Sequence, residues 1–300
     1  MKIIYILFLL FQILCFSQQD AQYTQYMYNT VNINPAYAGS RELLSVFLLH
    51  RNQWVGLDGA PVTNNVAINT PLGDTNFGLG ISIVNDKIGP TTENTISADL
   101  AYFISVSQNY KLSVGIKGTA NLFNLEVNKL NIRDQNDPQF QNLKSNFTPN
   151  LGAGLYLFSE KNYFGISVPN AFETTHYNDN SIAITKEKMH YYIIGGHVFD
   201  ITEKLKFKPA FLSKIVEGAA LQIDVTANFL INDKLTLGAA YRLDAAISGL
   251  VGFQISDAWF IGYGYDRETT KLSNYNSGSH EIFLRYEVFT TNRISSPRFF

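Results

Sequence analysis

The side chains in this chain best suited to metal ligation or proton transfer are five histidines: His50, His176, His190, His197 and His280. Their spacing does not favour either use. None forms an HxxxH or HExxH pair, which would place two imidazoles on one helix face. No GxSxG elbow prepares a serine, and no glycine-rich loop of the phosphate-binding type is present. Asp134-Gln135-Asn136-Asp137-Pro138 puts oxygen ligands close together but lacks EF-hand order. Turn formation by Asn and Asp accounts for it without calcium. With a net charge of −2 there is no basic field for nucleic acid. The residues therefore point to a protein without catalytic residues, metal or cofactor, and not to an enzyme.

The elements that carry the remaining polar residues are more informative. In Leu221 to Leu243, the residues Leu221, Ile223, Val225, Ala227, Phe229 and Ile231 are apolar, and Gln222, Asp224, Thr226 and Asn228 between them are polar. Only Leu230 breaks the pattern. After the break at Asn232-Asp233-Lys234, Leu235, Leu237, Ala239, Tyr241 and Leu243 alternate with Thr236, Gly238, Ala240 and Arg242. Period-2 alternation describes a strand with its two faces in different environments. Each arm has about ten residues, enough to cross a hydrocarbon layer as a tilted strand. A three-residue turn pairs Ile231 with Leu235 and keeps both apolar sets on one face.

Composition agrees. Of 300 residues, 46% are hydrophobic and only 16% charged, against roughly 25% charged in soluble domains. Met1-Lys2 followed by the apolar run Ile3 to Phe16 reads as a secretory signal peptide over residues 1–17, cleaved after Ser17. Acylation of Cys15 is the rival reading, but Leu14 stands where a small residue is expected. Cleavage removes the only cysteine, so the mature chain has no disulfide. No later segment is a transmembrane helix. A secreted chain with many one-sided strands fits a bacterial outer-membrane barrel.

Residues 18–41 have no clean alternation and form a segment before the barrel, periplasmic or tucked into the lumen. Fourteen strands follow within residues 42–289, an all-β, single, antiparallel up-and-down transmembrane barrel, and residues 290–300 are a tail. The connections include Asn85 to Glu93, read as a loop around Gly89-Pro90. With a periplasmic start, the long polar connections (Glu126–Asn146, Asn170–Lys188, Arg267–Ser279) fall outside. The tight ones (Pro71–Asp74, Gln108–Asn109, Ser159–Asn162, Asn232–Lys234, Ser256–Asp257) fall inside. That asymmetry is the one expected of outer-membrane barrels, with both termini periplasmic. A soluble sandwich also alternates, but its strands are typically about 5–6 residues, and several here reach ten.

Within a barrel the polar faces line the lumen. Pairing across the Asn232-Asp233-Lys234 turn sets Asp224 opposite Arg242, which predicts a lumen ion pair that fixes register. Trp259, Tyr263, Tyr265, Tyr286 and Tyr102 suit interfacial girdles in contact with outer-membrane lipid. Asn52-Gln53-Trp54 is either a partner contact or an aromatic anchor at the rim, and the residues alone favour the anchor. His197 is the histidine to consider if the barrel hydrolyses lipid, but a triad is defined by geometry, which separated residues do not supply. A solvated lumen histidine is the simpler reading.

Gln19-Asp20-Ala21-Gln22-Tyr23-Thr24-Gln25-Tyr26-Met27-Tyr28-Asn29, Asn34-Pro35-Ala36-Tyr37-Ala38-Gly39-Ser40, Arg51-Asn52-Gln53-Trp54 and Asp58-Gly59-Ala60-Pro61 resemble the signature of the PorP/SprF family. So does the C-terminal Ser296-Pro297-Arg298-Phe299-Phe300. These are outer-membrane proteins of the type IX secretion system and its gliding machinery in Bacteroidetes-type bacteria. Ala21 and Thr30 depart from the prolines usual there. The resemblance implies a non-enzymatic role in export or surface attachment of an adhesin-like cargo with a type B C-terminal sorting domain, alongside other secretion-system components. The rival reading is a passive porin-like channel for small solutes.

Overall fold

The structure, a computed structural model, describes residues 23–126, 129, 146–175 and 186–288. The alternating segments become β1 (Leu44–Asn52), β2 (Val62–Pro71), β3 (Phe77–Ile88), β4 (Thr91–Ser105), β5 (Lys111–Leu125), β6 (Asn146–Phe158) and β7 (Asn162–Val168). Two-residue strands β8 (Thr174–Thr175) and β9 (Lys186–Glu187) pair only with each other. The wall resumes with β10 (His190–His197), β11 (Phe199–Thr202), β12 (Leu205–Val216), β13 (Gln222–Ile231), β14 (Leu235–Arg242), β15 (Ala246–Gln254), β16 (Trp259–Glu268) and β17 (Ser279–Val288). β10 and β11 both pair with β12 and are one stave interrupted at Val198. β1 pairs with β17 and β10 with β12, so the antiparallel wall closes as a 14-strand barrel with β11 as an extra short strand.

Closure leaves no sheet edge to satisfy in lipid. The faces are sorted inside out. Along β13, Asp224, Thr226 and Asn228 are buried toward the lumen, while Val225 and Phe229 are exposed. Leu230, which breaks the alternation, is a lumen residue packed on Val198. At the hairpin tip Asn232 and Asp233 both take φ of 53°, the left-handed backbone that favours Asn and Asp and matches strand twist. Paired aromatics ring the end with the short turns: Phe77–Tyr102 at 5.0 Å, Phe207–Phe229 at 4.8 Å and Trp259–Tyr286 at 4.5 Å between centroids.

One connection differs from the sequence reading. Asn85 to Glu93 is mostly strand: β3 runs to Ile88 and β4 starts at Thr91, leaving Gly89-Pro90 as the tip. Hydrophobic periodicity misses such a ladder, because above the hydrocarbon layer neither face needs to be apolar. Asn85 Nδ2 donates to Asn94 Oδ1 across it at 2.8 Å. The N-terminal residues 1–17, Asp134 to Pro138, His176 and residues 290–300 lie outside the described residues.

Candidate functional site: an occupied lumen

Residues 23–41 lie inside the barrel. They cross it as three short helical turns, Tyr26–Tyr28, Thr30–Ile33 and Pro35–Tyr37. Helical turns satisfy backbone groups locally in a space with no strand edge to offer. Asn34 caps the last turn by accepting from the Ala36 N–H at 3.0 Å, and Pro35 at its start has no N–H to satisfy. Nearly every side chain from Thr24 to Arg41 is buried.

The segment supplies the apolar core that the wall alone lacks. Tyr28 stacks on Phe260 at 5.5 Å and lies tilted against Phe283 at 4.7 Å between centroids, and Phe47 stacks on Phe283 at 5.1 Å. Tyr37 meets Tyr156 edge-on at 5.5 Å. Each such buried side chain contributes about 1.5–3 kcal/mol relative to exposure. The fit is close at two lumen glycines. A Cβ on Gly115 would lie 2.2 Å from the Ala36 nitrogen, and one on Gly78 would lie 2.1 Å from the Ala38 carbonyl oxygen.

Polar contacts fix the segment at both ends and between. At the rim with the long connections, the Glu281 carboxylate accepts the backbone N–H groups of Thr24 at 3.1 Å and Gln25 at 3.0 Å. Arg51 donates to Thr24 Oγ1 at 2.8 Å, to Asp266 Oδ2 at 2.8 Å and to Glu281 Oε2 at 3.1 Å, and Thr24 Oγ1 donates to Asp266. All three charged side chains are at most 2% exposed. Midway, Asn29 Nδ2 donates to Asn65 at 2.9 Å, Lys117 to the Val31 carbonyl at 3.3 Å, and Ser167 to the Ile33 carbonyl at 2.6 Å. Lys117 also pairs with Asp99 at 3.0 Å. At the short-turn rim Arg41 pairs with Glu287, which Arg285 also meets at 3.2 Å.

The residues singled out from the sequence occupy different places around this plug. Asp224 and Arg242 are register partners, and Arg242 Nε donates to Asp224 Oδ1 at 2.9 Å. Asn52 is exposed, whereas Gln53 and Trp54 are half-buried. Trp54, at φ 49°, donates its indole N–H to Glu268 Oε1 at 2.9 Å and its backbone N–H to Ser279 Oγ at 3.1 Å. It thus ties the connection after β1 to both strands flanking the connection before β17. His197 sits by the short turns on the outer face, not in the lumen as the sequence reading had it, packed on Phe199 and with its Nδ1 in contact with Asn162 Oδ1. His50 contacts Asn64 at 2.8 Å and His280 contacts the Tyr263 hydroxyl at 2.6 Å, both on the outer face. Among the described residues no three His, Cys, Asp or Glu side chains gather as a metal site.

The charge node Arg51–Asp266–Glu281 was not singled out from the sequence. Its signal was available: three charges at inward-facing positions near the same ends of neighbouring strands. The inward aromatics Phe47, Phe260 and Phe283 were a second signal, because bulky rings facing a lumen need something to pack on.

Among solved structures, the CymD monoaromatic hydrocarbon channel aligns with 88% of this chain and 94% of its own at 11% identity and a TM-score of 0.51. The Acinetobacter baumannii outer membrane protein Omp33 aligns with 83% of this chain and 100% of its own, at 7% identity and a TM-score of 0.49. At such identities the likeness to CymD speaks for the fold alone. No curated protein matches the sequence. The sequence profile of the family described as type IX secretion system membrane protein PorP/SprF matches residues 15–286, which include the lumen segment and nearly all of the barrel wall. The chain, an outer-membrane β-barrel, therefore belongs to the PorP/SprF family of type IX secretion system membrane proteins.

Proposed function

We propose that this protein supports export or surface attachment of an adhesin-like cargo carrying a type B C-terminal sorting domain, working with other components of the type IX secretion and gliding apparatus. Family membership supplies the system. The observation that carries the reading further is the filled lumen. A barrel whose interior is packed with its own residues 23–41 offers a partner its rims and connections rather than a passage. The rim built by Asn52, Gln53, Trp54 and the connection before β17 is a rigid candidate, since Trp54 fastens the connection after β1 to both strands that flank the other.

The discriminating experiment removes the protein from cells and compares the secreted and surface proteomes. Loss of one large surface protein is the expected result. Unchanged secretion with altered solute uptake would favour a passive channel and sink the proposal. Affinity purification from detergent-solubilised membranes should recover the cargo and secretion-system chains, not merely abundant porins. The proposed role is non-enzymatic. Turnover of lipid or peptide by purified protein, lost in His197→Ala, would contradict that part.

A further inference from the structure

We infer that the lumen segment enters the barrel at the external rim, so that Tyr23, at its start, and Val288, at the end of β17, lie at opposite faces of the membrane. The sequence reading placed the start of the chain in the periplasm, with residues 18–41 periplasmic or tucked into the lumen. The contacts run the other way. Thr24 and Gln25 are held by Arg51, Asp266 and Glu281. Arg51 is one residue from the end of β1, Asp266 two from the end of β16, and Glu281 two from the start of β17. All three strand ends adjoin the connections 53–61 and 269–278. Ala38 lies against Gly78 near the opposite end, beside the turn between β2 and β3, and Arg41 pairs with Glu287 one residue before the end of β17.

The segment thus descends through the lumen from the long-connection rim to the short-turn rim, and the chain then climbs again as β1. The geometry allows this comfortably. From Thr63, the register partner of Arg51, to Pro71, that of Gly78, β2 runs eight residue-to-residue steps, roughly 26 Å. The fourteen residue-to-residue steps from Thr24 to Ala38 would reach roughly 46–50 Å if extended, so three helical turns take up the slack. Since the long connections of outer-membrane barrels face outward, Tyr23 lies at the cell-surface rim, beside the connection stapled by Trp54.

The test places an epitope between Gln22 and Tyr23 and probes intact and permeabilised cells with antibody. Reference insertions go between Ser273 and Asn274 in a long connection and between Asp233 and Lys234 in a short turn. The Gln22/Tyr23 epitope should be read on intact cells, like the one at Ser273/Asn274. Detection only after permeabilisation, like the one at Asp233/Lys234, would overturn the inference. A second variant guards against a misfolded insertion. Tyr23→Cys in a Cys15→Ser background has a single thiol. It should react with a membrane-impermeant maleimide on intact cells, and reaction only after permeabilisation would again contradict the inference. This outcome is independent of whether a cargo is found.

Discussion

The barrel wall and the segment it encloses bury their residues by opposite rules. On the wall, apolar side chains such as Val225 and Phe229 point outward to lipid and most polar ones inward, with inward rings such as Phe47, Phe260 and Phe283 as exceptions. In residues 23–41, tyrosines, Met27, Val31 and Ile33 are buried together with asparagines and threonines, as in the core of a soluble protein. The wall's structure follows from its solvent; the segment's structure follows from its container. A closed barrel of this size has too few inward apolar groups to pack a dry centre by itself. The segment completes that centre and leaves two charged nodes, Arg51–Asp266–Glu281 and Arg41–Glu287–Arg285, at its ends.

Substitutions on the two sides of the wall sharpen this contrast. The largest effect is expected for Arg51→Ala. It strands two buried carboxylates, and removing one partner of a buried ion pair costs about 3–5 kcal/mol. Urea unfolding in lipid vesicles should show the loss, with the segment becoming protease-sensitive before the wall. Ile116→Lys comes next. Ile116 faces lipid mid-way along β5, and a lysine at the bilayer midplane costs about 2–4 kcal/mol. Here the wall and the segment should lose stability together.

Its neighbour Gly115 faces the segment, and Gly115→Ala should cost about 1–3 kcal/mol by overpacking against the Ala36 backbone. Its signature is selective protease access to residues 23–41 with little change in wall unfolding. Adjacent residues on one strand would then report separately on the two regions. The smallest effect belongs to Lys161→Ala. The Lys161–Asp200 pair is about half exposed, and surface pairs are worth under about 1 kcal/mol. A shift as large as that of Arg51→Ala would mean that burial is not what separates the two classes of ion pair.

The same contrast explains what was legible in the sequence. Strand count, register and the Asp224–Arg242 facing pair follow from period-2 alternation, because lipid enforces it residue by residue. The upper parts of β3 and β4 were illegible because the rule lapses outside lipid. The path of residues 23–41 was illegible for a different reason. A segment folded inside a container has no period of its own, and its contacts are with residues such as Asp266 and Glu281 that lie more than 200 positions away. Its signature motifs suggested the family. They did not disclose that these tyrosines and asparagines fill the lumen, since nothing local marks Phe47, Phe260 and Phe283 as the inward rings that gather around Tyr28.

The central claim is that residues 23–41 fill the barrel, which is the observation on which the proposed role of the rims rests. Single-channel recording in planar bilayers tests it most directly. The full-length protein should show no steady open conductance, and a variant lacking residues 23–41 that still forms the heat-modifiable barrel should conduct. A stable, large conductance from the intact protein, unchanged by removing the segment, would contradict the account.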